Sequence, residues 1–157
     1  MPRRFKIFSR CEGGAAVVEF ALLLLPLVLL IGGGVDFGHY FYINHNITTA
    51  SREGARYGVK YKLNPSTELP FVPSALTPSI ENYVKLPAPT GLGYPGLLGS
   101  DANLTVTPGG AGYTGTTAND ILTVTVTADK HWFFLGGLLG FHNPRTLTAT
   151  TAMTLER

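Results

Sequence analysis

Glu19 is the residue whose position most needs a chemical reason. It is the one charge in the apolar run from Ala15 to Val35, AAVVEFALLLLPLVLLIGGGV. A carboxylate inside an apolar helix is costly and marks a functional site by default. A cation would offset that cost. Scission between Gly14 and Ala15 would create one, an α-ammonium on Ala15, about one helical turn before Glu19. Glu19 would then be the fifth residue of the shortened chain. It would pair with its own ammonium or with that of a neighbouring copy, in surroundings dry enough for the pairing to matter. The plain alternative is a Glu19 shallow enough to stay hydrated, or protonated.

No other group offers comparable chemistry. His39 and His45 stand six apart, whereas side chains on one helix face recur every three or four residues. His131 and His142 flank an aromatic segment with no Cys or acidic cluster nearby. GxSxG, HExxH, P-loop and paired-carboxylate patterns are absent from the sequence. Gly109, Gly110 and Gly112 are not expected to open a helix after a strand, so no phosphate cradle is read there. Cys11 is the only cysteine, which rules out an intramolecular disulfide or a thiolate zinc site and suggests a free thiol. The expectation is a protein that acts by contact: no enzyme, no catalytic residue, no metal and no cofactor. An exported enzyme has no motif behind it.

The elements that must position Glu19 follow from length and charge. A chain of 157 residues has room for one domain and an anchor. Residues 1–14 hold Arg3, Arg4, Lys6 and Arg10 against Glu12, while the remainder is slightly acidic. A nucleic-acid surface needs basic groups spread over a folded face, so no nucleic-acid partner is read. As a helix, the run from Ala15 to Val35 would cover about 30 Å, the thickness of a bilayer core. The basic residues before it put the N-terminus in the cytosol and the chain beyond about residue 36 outside. Two other readings stay open. One is a cleaved signal peptide, for which the run is long and Glu19 misplaced. The other is an uncleaved single-pass envelope anchor whose outer domain binds a ligand or partner.

Three stretches together resemble a known family. The first is GG-AAVVEF-ALLLLPLVLL, which is similar to the class III signal sequences of type IV pilin-like proteins. The second, VDFGHYFYINHNITTASREGARYGV at residues 35–59, holds Asp36-Phe37-Gly38 and Arg52-Glu53-Gly54-Ala55-Arg56. The third is the end of the chain, where a Thr-Val strand, a Leu/Gly-rich segment and a Thr/Ala-rich strand close in Met-Thr-Leu-Glu-Arg. They resemble the TadE-like pseudopilins (TadE/TadG-like family) of tight-adherence (Tad, Flp-type) pili, well over residues 10–62 and loosely over 120–157. The length fits neither the much larger TadG-like type nor the very short major Flp pilin. The resemblance implies cutting by a membrane prepilin peptidase after Gly14, with Gly13 the neighbouring option. It also implies that Glu19 acts in assembly or recognition and that Phe20 is part of the signal. The implied partners are the prepilin peptidase, other pilins and pseudopilins, the pilus inner-membrane assembly machinery and the lipid bilayer. The implied setting is a bacterial inner membrane, with the outer domain periplasmic or in a pilus, and a role in adhesion, biofilm formation or secretion.

The spacing of apolar residues predicts the rest. Ile43, Ile47, Ala50, Gly54 and Tyr57 form one apolar helical face, so a helix is expected from Ala15 to about Tyr61. Pro26 removes one hydrogen bond and should kink it. Gly34 and Gly38 form a small-xxx-small step suited to close approach of another helix. Arg52, Glu53 and Arg56 are read as packing and intersubunit-contact residues, with Glu53 and Arg56 paired. A small helix near 78–85 is expected with Thr77 as its cap, then loops over 86–101 and 108–119. Strands are expected around Leu104–Val106, over Asp120–Ala128, and along Leu147–Leu155. Between the last two lies HWFFLGGLLGFH, where Trp132, Phe133, Phe134, Leu138, Leu139 and Phe141 either cap the core or form a contact patch for lipid or partner. The predicted fold class is α+β, pilin-like: a long N-terminal helix, its first half transmembrane, packed on a small antiparallel sheet. The predicted divisions are a basic leader (1–14), a transmembrane half (15–35), an extended amphipathic helix (36–62) and an outer α+β domain (63–157).

Overall fold

A computed structural model describes residues 12–60, 71–87, 91–98, 103–115, 117 and 119–155. Residues 1–11 of the leader, Cys11 among them, lie outside these residues, as do the whole 61–70 stretch, where the long helix was expected to end, and Glu156-Arg157.

The first described element is a single helix, α1 (Glu12–Val59), that runs without interruption through Pro26. Its two halves have different surroundings. No residue of its most apolar 18-residue stretch is buried within the protein. The second half is amphipathic, and the expected stripe is what the domain covers: Ile43, Ile47, Ala50, Gly54 and Tyr57 are all buried. The last helical residue is Val59.

That stripe meets a three-stranded antiparallel sheet, β1 (Thr105–Gly109), β2 (Ile121–Lys130) and β3 (Arg145–Thr154), in the order β1-β2-β3. Period-two alternation sends Leu122, Val124, Val126 and Ala128 into the core and leaves the threonines between them on the other face. Val126 pairs with Ala149 and Leu122 with Met153, so β3 turns Leu147, Ala149, Thr151 and Met153 toward the helix. Each large side chain buried here contributes about 1.5–3 kcal/mol. One polar pair joins helix and sheet as well, with Ser51 buried and Thr151 half-buried. Ser51 donates to the Thr48 carbonyl at 2.9 Å, so the Thr151 hydroxyl, 2.7 Å away, is the donor to Ser51 Oγ.

Several expected boundaries move. The small helix is α2 (Ile80–Lys85), and its cap is Ser79, not Thr77: Ser79 Oγ accepts from the Asn82 N–H. Both stretches expected to be loops contain a short helix. α3 (Tyr94–Leu98) forms in 86–101 because Tyr94 and Leu98, one turn apart, both reach the core. One turn of helix, α4 (Ala111–Thr114), follows β1 through Gly110, contrary to the expectation for these glycines. It holds no phosphate cradle, since the space beside Gly112 is filled by the backbone of Ile121 and Leu122. Finally, β2 continues two residues past Ala128, and that extension carries Lys130 to the inward face.

Candidate functional site

At the base of the domain, where α1 leaves its uncovered half, Asp36 and Lys130 are both fully buried. Strand parity forces Lys130 inward, one step beyond Ala128. Its ammonium stands 3.4 Å from Asp36 Oδ1 and donates to the His131 carbonyl. It also lies 4.7 Å from the centroid of the Phe133 ring and 5.0 Å from that of Trp132. The carboxylate has further partners. Asp36 Oδ1 accepts from the Phe133 N–H at 2.8 Å, and Oδ2 accepts from the N–H groups of Phe134 and Leu135 at 2.9 Å. These donors sit at the start of a short helix, α5 (Leu135–Leu139), whose N-cap Phe134 has no side chain able to accept a bond. Asp36 therefore supplies from α1 the anionic cap that α5 lacks locally.

The 131–142 segment is partly buried and partly exposed. Trp132 and Leu135 are buried. Trp132 stacks on Tyr40 and meets Phe37 edge-on, and its backbone is clamped by the Asn143 side chain, which bonds both the N–H and the carbonyl. Phe133, Phe134, Leu138, Leu139 and Phe141 are exposed. Phe134 lies across Gly32, where even a Cβ would come within 2.9 Å of its ring.

The remaining residues singled out from sequence are spread along α1. Ala15, Glu19 and Phe20 are exposed, and Glu19 has no ion pair or hydrogen bond to any described residue. Gly14, Gly34 and Gly38 have open space where a side chain would stand. Gly54, by contrast, is packed against Val84, Val124 and Ile80, and Gly58 against Leu122 and Ile80. The helix thus has two kinds of glycine. Those at 32, 54 and 58 admit another part of the same chain. Those at 14, 34 and 38 face nothing among the described residues, although glycine costs a helix about 1 kcal/mol relative to alanine. Arg52 and Arg56 are exposed, with Arg56 4.0 Å from Glu53, while Gly54 and Ala55 between them are buried. The segment is thus a packing surface on one side and a charged face on the other.

Asp36 was noticed in sequence only as part of Asp36-Phe37-Gly38, and Lys130 was missed. The signal for Lys130 was available: had the strand been extended to residue 130, the alternation would have turned a lysine inward and required an acidic partner.

Comparison with known proteins bears on this helix. The family model described as TadE-like protein matches residues 14–56, which lie wholly within α1. No curated protein and no solved structure matches the chain.

Proposed function

We propose that the protein is a minor pilin or pseudopilin that takes part in assembly of a Tad-type adhesion pilus. What carries the reading is the TadE-like match over residues 14–56, on a helix long and apolar enough to cross a membrane. In this reading the exposed lower half of α1 sits in a bacterial inner membrane, with the leader cytosolic and the α+β domain outside. Prepilin peptidase cuts between Gly14 and Ala15. The double glycine there has low helical propensity, which eases the unwinding a peptidase needs. Glu19, which has no ion pair or hydrogen bond among the described residues, takes the Ala15 ammonium of this or a neighbouring subunit. Gly34 and Gly38 are where a second helix, from another pilin or from the inner-membrane assembly machinery, comes close. Arg52, Glu53 and Arg56 offer a charged face to a further subunit. The protein works by these contacts, not by catalysis.

The test is the N-terminus of the chain recovered from membranes of cells with and without the prepilin peptidase. A start at Ala15 that depends on the peptidase is expected. A start at Gly14 would move the cut by one residue. An intact Met1 in both strains would overturn the proposal in favour of a permanent single-pass anchor.

A further inference from the structure

We propose that the tip of the β2–β3 connection, residues 133–141, is a second membrane contact that rests in the outer interface of the bilayer beside the last turns of the apolar helix. The inference depends on α1 crossing a membrane through Ala15–Val35, but not on any role in a pilus.

Depth is the first argument. Phe134 lies on Gly32 and Leu135 reaches Gly33. Gly32 is three residues inside the end of the apolar run, about 4.5 Å along the axis. A side chain touching that point cannot stand in bulk water while Val35 stands in lipid. Chemistry is the second. Residues 131–144 contain no Asp, Glu, Lys or Arg. Phe133, Leu138 and Leu139 are 62%, 59% and 61% exposed, on the same segment whose Phe134 lies against α1 at Gly32. Backbone satisfaction is the third. An irregular segment enters lipid only with its polar groups paired. Here Asp36 takes three N–H groups at the start of α5, and Asn143 closes the base through both polar groups of Trp132. The aromatic rings of Phe37, Tyr40 and Trp132 mark the level at which such rings collect, the membrane–water boundary. A seat at the interface, about 5–10 Å into the headgroup and acyl boundary, matches that of amphipathic surface helices.

The test uses the full chain in phosphatidylethanolamine–phosphatidylglycerol vesicles. Cys11→Ser removes the only native cysteine, and a nitroxide is attached at Leu138→Cys, Leu23→Cys or Thr148→Cys. Collisions with oxygen, which prefers lipid, are compared with those of a water-soluble nickel chelate. The expected result is loss of chelate collisions at 138, as at mid-span position 23, with free chelate access at 148. Chelate access at 138 with protection at 23 would overturn the second contact and leave the anchor standing. Access at both would overturn the spanning helix itself. Protection at 138 from oxygen and chelate alike would mean that protein covers the tip, which also overturns the proposal.

Discussion

The carboxylate of Asp36 accepts the N–H of Leu135 at 2.9 Å across 99 residues of sequence. That bond, with its companions from Phe133 and Phe134, joins the exit of the apolar helix to the β2–β3 connection. The ammonium of Lys130 completes the arrangement, but the two charges do not depend on each other equally. Without Lys130, the carboxylate keeps three N–H donors. Without Asp36, the ammonium keeps one carbonyl and two ring faces, and α5 loses its cap.

Asp36→Ala should therefore destabilise the outer domain by about 3–5 kcal/mol, the cost of stranding a buried charge. Lys130→Met should cost less, about 1–3 kcal/mol. Chemical denaturation of the detergent-solubilised chain, read by the fluorescence of Trp132, measures both. Equal losses would contradict the asymmetry.

The two kinds of glycine predict opposite outcomes for similar changes. Gly58→Leu forces atoms into the space of Leu122 and Ile80, and overpacking of this kind costs about 1–3 kcal/mol or more. Gly34→Ala and Gly38→Ala meet nothing among the described residues, so stability should hold or rise by up to about 1 kcal/mol. Gly34→Leu and Gly38→Leu should likewise leave the fold intact, while weakening disulfide or photo-crosslinks from this helix to other subunits in the membrane. Thermal melts paired with crosslinking yields separate the two effects.

Ser51→Ala should cost about 1 kcal/mol, because it leaves the half-buried Thr151 hydroxyl without its acceptor. Thr151→Val should then cost much less in the Ser51→Ala background than alone. A double-mutant cycle reads that coupling directly, and strictly additive losses would show that the two hydroxyls act independently.

Glu19→Ala should leave the melting of the outer domain unchanged, since Glu19 is exposed and far from the core. Its effect should fall on assembly. An ammonium left unpaired in a dry helix interface costs about 3 kcal/mol, on the order of 100-fold in association. Counting pili by electron microscopy, alongside the circular dichroism melt, tests the separation. A destabilised domain would place Glu19 in the fold instead.

The long-range plan of the molecule could be read from periodicity because each face has one dominant partner. The stripe from Ile43 to Tyr57 and the alternation from Leu122 to Ala128 are two halves of one core, and both emerge as expected. The α+β class followed from fitting them together. The errors fell where a short element depends on a single contact. Ser79 and Thr77 are both cap-forming types, and Ser79 takes the role directly before Ile80, whose side chain is buried. α3 and α4 are too short for any period to show. The brace at Asp36 was hidden for another reason. Its three donors are backbone groups, which carry no side-chain signature, and its cation lies two residues beyond the alternation that was easiest to see.

An unbroken α1 has a mechanical consequence. From Asp36 to Val59 the helix is stiffened by the sheet along one side, and its foot is pinned by the Asp36 clasp. Below that point the sheet no longer supports it, Phe134 and Leu135 touch it at Gly32 and Gly33, and further down Pro26 removes a rung from its hydrogen-bond ladder. A pull or twist applied to the outer domain is thus carried down as by a lever arm of about 36 Å. The compliance of the whole rod is concentrated near Pro26 rather than at the junction with the domain, so load on the head is felt as bending deep in the anchor.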